Sequence, residues 1–166
     1  LTGKGTLGGY SSFSNDGKSL SNTWLAGNDE DFTFDGKVTG ADAFTKTGTG
    51  RMTVAGAWDN TGAVRVNEGT LLLKSAASLG TGSLTVAAGA ALMGTSKSSN
   101  PLANSSFTIN GTIQPGQSAT AVTGNLNFNG KNVTVGTTGR IVVGLRKSAG
   151  TSSPNNSYLT NIGTLK

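Results

Sequence analysis

The chain has 166 residues, enough for one domain or one stretch of a longer repeat array, and it combines 26 glycines with only 34% hydrophobic and 13% charged residues. It contains neither cysteine nor histidine, which excludes a disulfide framework, a thiolate metal site and a Ser-His-Asp triad. No apolar run approaches the roughly 20 residues that a membrane-spanning helix needs, so we expect no such helix in this segment.

Charge is distributed unevenly along the chain. All eight acidic residues and six basic ones lie before Gly69, whereas seven basic residues and no acidic ones follow it. The net charge is therefore −2 before Gly69 and +7 after it. Such asymmetry can mark a binding face, but scattered basic residues are also typical of a solvated surface. A nucleic-acid site is not expected, because no basic stripe with interleaved aromatics is present.

The first segment, residues 1–30, fits no regular pattern and is predicted to be an irregular N-terminal coil or cover. Residues 31–166 are predicted to form β-helix repeats. Within them, residues 66–71, 86–92 and 109–113 repeat a unit of two aliphatic residues around a glycine turn, with the glycines spaced by roughly 20 residues.

Short strands are predicted between these turns. Residues 52–54, 84–86, 107–109 and 126–128 each place apolar side chains on one face and polar ones on the other. A helical turn is expected only within residues 75–79. Each strand is too short to form its own sheet, so we expect it to pair with its equivalent one repeat later in a parallel β-helix. No polar cap is evident at either end, and we expect further coils or a partner chain to dock there.

Residues 31–94 resemble the autotransporter-associated β-strand repeat of Gram-negative secreted proteins. The resemblance is carried by DFTFDGKVTG at 31–40, FTKTGTGRMTVAG at 44–56, VNEGTL at 66–71, LGTGSLTV at 79–86 and GAAL at 89–92. It implies an all-β, right-handed parallel β-helix of the autotransporter passenger type. It also implies an extracellular or outer-membrane surface location and a non-catalytic role as a stalk or adhesin, with no cofactor.

The densest carboxylate cluster contains Asp29, Asp31 and Asp35. Oxygen ligands in this number could hold Ca²⁺, and a carboxylate pair is also the machinery of glycoside hydrolysis. The alternative is a solvated loop whose charges keep the edge of a coil soluble. No metal site and no catalytic residue are assigned.

Binding candidates are the aromatic residues Trp24, Trp58 and Tyr158 and the basic residues Arg140, Arg146 and Lys147. The aromatics could stack on sugars, although on a stacked helix they more often fill corners. The primary prediction is a stalk or adhesin that binds host matrix, a glycan or a neighbouring cell-surface protein. The alternatives are a carbohydrate-active β-helix enzyme that uses the carboxylates of residues 29–35, or an accessory subunit of a cell-envelope assembly.

Overall fold

The computed structural model describes residues 29–95, 101–116, 124–144 and 158–166, except for the side chains of residues 158 and 161. It also describes the backbone of four earlier strands, at residues 6–8, 12–13, 19–20 and 23–26. The described part consists of strands and turns without a helix. In chain order the strands are β1 (Thr6–Gly8), β2 (Ser12–Phe13), β3 (Ser19–Leu20), β4 (Thr23–Ala26), β5 (Phe32–Phe34), β6 (Lys37–Thr39), β7 (Ala43–Lys46), β8 (Arg51–Val54), β9 (Ala57–Trp58), β10 (Val64–Val66), β11 (Thr70–Leu73), β12 (Ser78–Leu79), β13 (Leu84–Val86), β14 (Ala91–Gly94), β15 (Phe107–Ile109), β16 (Thr112–Pro115), β17 (Asn125–Val135), β18 (Arg140–Ile141) and β19 (Tyr158–Leu165).

These strands build a parallel β-helix of stacked coils. One sheet has seven strands in the order β19-β17-β15-β13-β10-β7-β4, and a second has six in the order β18-β16-β14-β11-β8-β5. Shorter pairs, β1-β6 and β9-β12, lie along a third face. Strands that are neighbours in space are thus one repeat apart in sequence, as predicted. Among the described strands only β2 and β3 pair in antiparallel fashion.

Coil length is regular in the first part of the solenoid and then increases. Phe44 pairs with Val64 and Val64 with Leu84, which are steps of 20 residues. Leu84 then pairs with Phe107, a step of 23, and Phe107 with Val133, a step of 26. The added residues leave the strand register unchanged, so insertions are accommodated in the turns.

The interior is filled by columns of stacked apolar side chains. On the six-stranded sheet the column runs through Met52, Leu71, Leu92 and Ile113, each with no solvent exposure. Burial of each such side chain contributes about 1.5–3 kcal/mol. Period-two alternation predicted the inward and outward positions at residues 52–54, 84–86 and 107–109, and the burial pattern of β8, β13 and β15 confirms it. At residues 126–128 the alternation fails, because Asn127 is buried together with both of its apolar neighbours.

Glycine allows the coils to stack closely at their corners. A Cβ atom on Gly82 would overlap the backbone carbonyl group of Gly62 in the preceding coil, so no larger residue fits there. Gly69 and Gly89 have φ angles of 62° and 81°, which favour glycine because a side chain at positive φ is strained. Glycine is therefore required at these positions for two distinct reasons, close contact between coils at Gly82 and a positive φ angle at Gly69 and Gly89.

Three details differ from the sequence prediction. The seven-stranded sheet begins at β4, which pairs with β7, and β1 pairs in parallel with β6, so parallel pairing includes residues assigned to the irregular segment 1–30. Within residues 75–79, Ala77 N–H donates to Lys74 O in a turn, and β12 follows instead of a helix. β17 is 11 residues long and rounds a corner at Asn129 and Gly130, which both have positive φ.

No helix in the described part of the chain is long and apolar enough to cross a membrane.

Candidate functional site

A cluster of charged side chains surrounds the turn at residues 47–50, between β7 and β8. Asp29 and Asp31 approach it from the preceding coil, Glu68 approaches from the following coil, and Lys46 lies at its base. We call Asp29, Asp31, Lys46 and Glu68 the acidic corner. Their contacts connect three successive coils.

Lys46 is fully buried although it is a lysine. Its backbone pairs with Val66, and Val66 pairs with Val86, so Lys46 occupies an inward position that later coils fill with valine. Its Nζ donates to the carbonyl oxygens of Thr47 (2.7 Å), Gly48 (2.6 Å) and Glu68 (3.3 Å). The three donors of the ammonium group are thus satisfied by backbone carbonyls.

Asp29 and Asp31 bind the backbone of the next coil. Asp29 Oδ1 accepts hydrogen bonds from Thr49 N (2.9 Å) and Thr49 Oγ1 (3.0 Å). Asp31 Oδ1 accepts from Arg51 N (2.8 Å), while its Oδ2 forms an ion pair with Arg51 Nη2 (2.9 Å). Both partners lie 20 residues further along the chain, so each carboxylate ties one coil to the next.

Glu68 completes the corner from the other side. Its Oε2 accepts a hydrogen bond from Gly48 N (3.0 Å). Since Lys46 Nζ also contacts the Glu68 carbonyl oxygen, backbone and side chain of Glu68 both contact this turn. The turn is therefore held from the coil before it and from the coil after it.

Electrostatics in the corner follow from these contacts. Hydrogen bonds from the backbone and hydroxyl of Thr49 lower the pKa of Asp29 below its usual 3.8. The backbone hydrogen bond from Arg51, aided by its positive charge, does the same for the pKa of Asp31. Burial lowers the pKa of Lys46, and the nearby charges of Glu68, Asp29 and Asp31 oppose that shift. Near neutral pH, Asp29 and Asp31 are both anions.

Asp35 stands apart from these two carboxylates. It follows β5, four residues beyond Asp31, which corresponds to about 13 Å along an extended strand. Its side chain is exposed. Among the residues that the structure describes, no three acidic side chains are grouped so that they could hold a metal ion. The Ca²⁺ candidates Asp29, Asp31 and Asp35 are therefore not brought together.

Trp58, predicted as a candidate for ligand stacking, lies in the core instead. It is 3% exposed, and its ring packs edge-on against Phe44 (centroids 4.7 Å apart) and Phe34 (6.2 Å). A ring enclosed in this way cannot stack on a sugar, so this binding candidate was wrong. The corner-filling alternative describes Trp58 correctly.

The other binding candidates have mixed outcomes. Arg140 is exposed on β18 at the last rung of the six-stranded sheet. The backbone of Trp24 pairs with Phe44 and that of Tyr158 with Asn125, but their side chains lie outside the described residues. Arg146 and Lys147 also lie outside them.

The outer face of the seven-stranded sheet presents a straight row of polar side chains. Thr85 pairs with Arg65 on one side and with Thr108 on the other, and Thr108 pairs with Thr134. Their neighbours within each strand point inward, so these four point outward. We call Arg65, Thr85, Thr108 and Thr134 the outer row; its members repeat at the strand spacing of about 4.8 Å.

A second polar cluster is enclosed in the interior near the third face. Asn60 Nδ2 donates to Gly62 O (3.0 Å), and Asn104 Nδ2 donates to Gly82 O (2.9 Å) and Leu79 O (3.2 Å). Both side chains are completely buried. These amides satisfy turn carbonyls at the corner where Gly62 and Gly82 stack, which is a structural role.

Sequence reasoning missed Lys46, Glu68, Asn60 and Asn104. The signal for Lys46 was present, because it stands where the next two repeats have Val66 and Val86. A charged residue in an alternating run is normally assigned to the outer face, and only the strand register contradicts that.

Comparison of the chain with protein-family models, with curated proteins and with solved structures found no match.

Proposed function

We propose that this chain is a non-catalytic β-helical module of a secreted or cell-surface protein, acting as a stalk whose outer row contacts a partner surface. The observation that carries the proposal is the use of Asp29 and Asp31 as ties between coils. Their oxygens accept hydrogen bonds from the backbone of residues 49 and 51, and so hold two successive coils together. The secreted location is supported by the sequence resemblance alone.

The carbohydrate-active alternative is less well supported by the same residues. Asp29 and Asp31 lie two residues apart just before β5, so their backbones are at most about 7 Å apart, which is compatible with the carboxylate pair of a glycosidase. Such an enzyme needs one carboxylic acid that keeps its proton, through a raised pKa. Both pKa values are instead lowered by hydrogen bonds, so the pair lacks a proton donor.

The outer row provides the surface for the adhesive role. A regular row of hydroxyl groups flanked by Arg65 offers hydrogen-bond donors and acceptors at a fixed repeat, held on paired strands. Partners with repeating polar groups, such as a glycan or an extended matrix protein, match this spacing. Rigid presentation also lowers the entropy cost of binding.

The test is a binding screen of the purified chain against glycans and matrix proteins, at low and at physiological salt. We expect selective binding that persists at physiological salt and that is lost in the double variant Thr85→Glu and Thr108→Glu. The matched control is Thr53→Glu, on the outer face of the six-stranded sheet, which should bind as the unmodified chain does.

Three results would count against the proposal. Binding that disappears at physiological salt reflects only the net charge of +5. Hydrolysis of a bound glycan that is abolished by Asp31→Asn would establish the enzyme instead. Selective capture of a cell-envelope protein, in place of a glycan or matrix component, would favour the accessory-subunit alternative.

A further inference from the structure

Two asparagines of the sequence are followed directly by glycine, in the pairs Asn110-Gly111 and Asn129-Gly130. In such a pair the backbone nitrogen of the glycine can attack the side-chain carbonyl carbon (Cγ) of the asparagine and close a succinimide ring. Glycine favours the reaction because it has no Cβ to hinder the approach and because its backbone is flexible. The fold decides whether each pair can react, and it holds the two pairs very differently.

The pair Asn110-Gly111 is locked in the turn between β15 and β16. Gly111 is buried, and its N–H donates to Val86 O (3.1 Å), which also accepts a hydrogen bond from Asn110 N (2.8 Å). A Cβ atom on Gly111 would overlap the carbonyl oxygens of Ala87 and Ala90 in the preceding coil. The attacking nitrogen of this pair is therefore engaged in a hydrogen bond, and its backbone has no room to rotate.

The pair Asn129-Gly130 lies instead in a bulge of β17. Asn127 and Lys131, the paired positions on either side of it, are four residues apart, whereas their partners on β19 are only two apart. Asn129 and Gly130 are both exposed, and their φ angles of 51° and 71° depart from those of a strand. Residues in a bulge are left out of the ladder. The backbone here can therefore bring Gly130 N to Asn129 Cγ while the paired positions stay in place.

The position of the bulge within the stack explains why the exposure of this pair belongs to the fold. β17 has β15 on one side and β19 on the other. The bulge therefore lies on a coil with a neighbour on both sides. Its exposure follows from the local break in pairing between β17 and β19.

We propose that Asn129 is a site of spontaneous modification, at which Asn129-Gly130 converts to aspartyl- and isoaspartyl-glycine. Gly130 N forms a bond to Asn129 Cγ, the bond from Cγ to Nδ2 breaks, and Nδ2 leaves as ammonia with the proton from Gly130 N. Water then opens the succinimide. Cleavage between Cγ and the ring nitrogen gives aspartate, and cleavage at the backbone carbonyl gives isoaspartate. Water is the co-reactant, and the inference does not depend on the proposed stalk function.

The modification changes the charge pattern of the chain. No acidic residue follows Glu68 in the sequence, so the product at position 129 is the first side-chain carboxylate in residues 69–166. It lies two residues from Lys131, which is exposed. The loss of one positive unit takes the formal net charge from +5 to +4. Because the surrounding segment is basic, its charges stabilise the new anion.

The test compares the two pairs within one chain, incubated in mildly alkaline buffer either folded or unfolded in urea. Trypsin cleaves after Lys97 and Lys131, so the peptide of residues 98–131 contains both pairs, and tandem mass spectrometry locates the change. In the folded chain we expect Asn129 to react at least about tenfold faster than Asn110, which has to wait for local opening. In urea the two should react at similar rates.

Two variants identify the product and its source. Asn129→Asp marks the position of the modified chain in ion-exchange chromatography. Asn129→Gly suits the positive φ angle and has no amide to lose, so it should acquire no acidic form in the same time. Circular dichroism checks that both variants fold. An isoaspartyl methyltransferase assay should detect isoaspartate in the aged unmodified chain and none in aged Asn129→Gly.

Three results would overturn the proposal. The first is a folded chain in which Asn129 stays intact or reacts no faster than Asn110. The second is aspartate at position 129 without isoaspartate, which would mean direct hydrolysis of the side chain in place of attack by Gly130 N. The third is an acidic form that arises in Asn129→Gly as fast as in the unmodified chain.

Discussion

Replacing Gly82 by alanine tests the close stacking of coils more sharply than any core substitution. A methyl group at this position would overlap the backbone carbonyl of Gly62 and would lie 2.9 Å from Thr61 O. These atoms belong to the backbone of the coil below, so they cannot rotate away. The coils must separate locally. We expect Gly82→Ala to cost about 3 kcal/mol or more, the upper part of the range for overpacked sites.

Gly89→Ala is the matched control. Gly89 has a φ angle of +81°, and no atom lies within 4 Å of where its Cβ would be. Its substitution therefore carries only the conformational cost of positive φ, about 1–2 kcal/mol. Both variants can be compared by urea unfolding followed by circular dichroism, since ΔG falls linearly with urea concentration. If Gly82→Ala is no more destabilising than Gly89→Ala, the coils are not in the described contact.

Three further predictions concern the core and the acidic corner. Leu92→Ala removes a fully buried side chain and should cost about 2–5 kcal/mol in urea unfolding, whereas Leu165→Ala, at a site 54% exposed, should stay within about 0.5 kcal/mol. Because the pKa of Asp31 is lowered from 3.8 in the folded state, its stabilising effect is complete above pH 3.8 and is lost as pH falls through the folded value. Asp31→Asn should flatten this acid limb of the stability curve. Burial lowers the pKa of Lys46 in the folded protein below its usual 10.5. At pH values between the folded pKa and 10.5 the unfolded chain therefore binds more protons than the folded one, so the free energy of unfolding increases as the pH rises through this range. Lys46→Met should remove that rise.

Each of these pH predictions has a clear contrary result. An acid limb that is equally steep in Asp31→Asn would mean that the Asp31 carboxylate does not hold the Arg51 backbone in solution. For Lys46, a rise with pH that persists in Lys46→Met would have to come from another group. Chemical denaturation at a series of pH values measures both.

The architecture was predictable because the repeat is local and its period is short. Alternation at residues 52–54, 84–86 and 107–109 identified inward side chains, and glycines about 20 residues apart identified the coil length. The shift of the first rung to β4 was not predictable from the pattern alone. In sequence, residues 23–26 are followed by Gly27, but the next four residues include no aliphatic one to complete the repeat unit seen in the later coils.

The site was predicted less well, because its contacts depend on register. Asp29 and Asp31 were recognised as a cluster, but their partners Thr49 and Arg51 lie 20 residues away and are set opposite them only by stacking. Trp58 was misassigned because β9 has only two residues, too few for alternation to show which face is buried. Lys46 was missed because a charged residue is normally assigned to the outer face, although its position in the repeat is an inward one.

Pulsed electron paramagnetic resonance on spin-labelled chains would test the stacked parallel coil most directly. The chain has no cysteine, so a pair of labels can be placed at two introduced cysteines in each variant. Arg140 on β18 lies five rungs from Thr33 on β5 and four rungs from Thr53 on β8. Arg140 lies two residues, or about 6.6 Å, along the strand from the column that contains Thr33 and Thr53. At about 4.8 Å a rung, the structure therefore predicts backbone separations of about 25 Å and 20 Å, each with a narrow distribution. A broad distribution, or a distance that fails to shorten by one rung from Thr33 to Thr53, would contradict the β-helix.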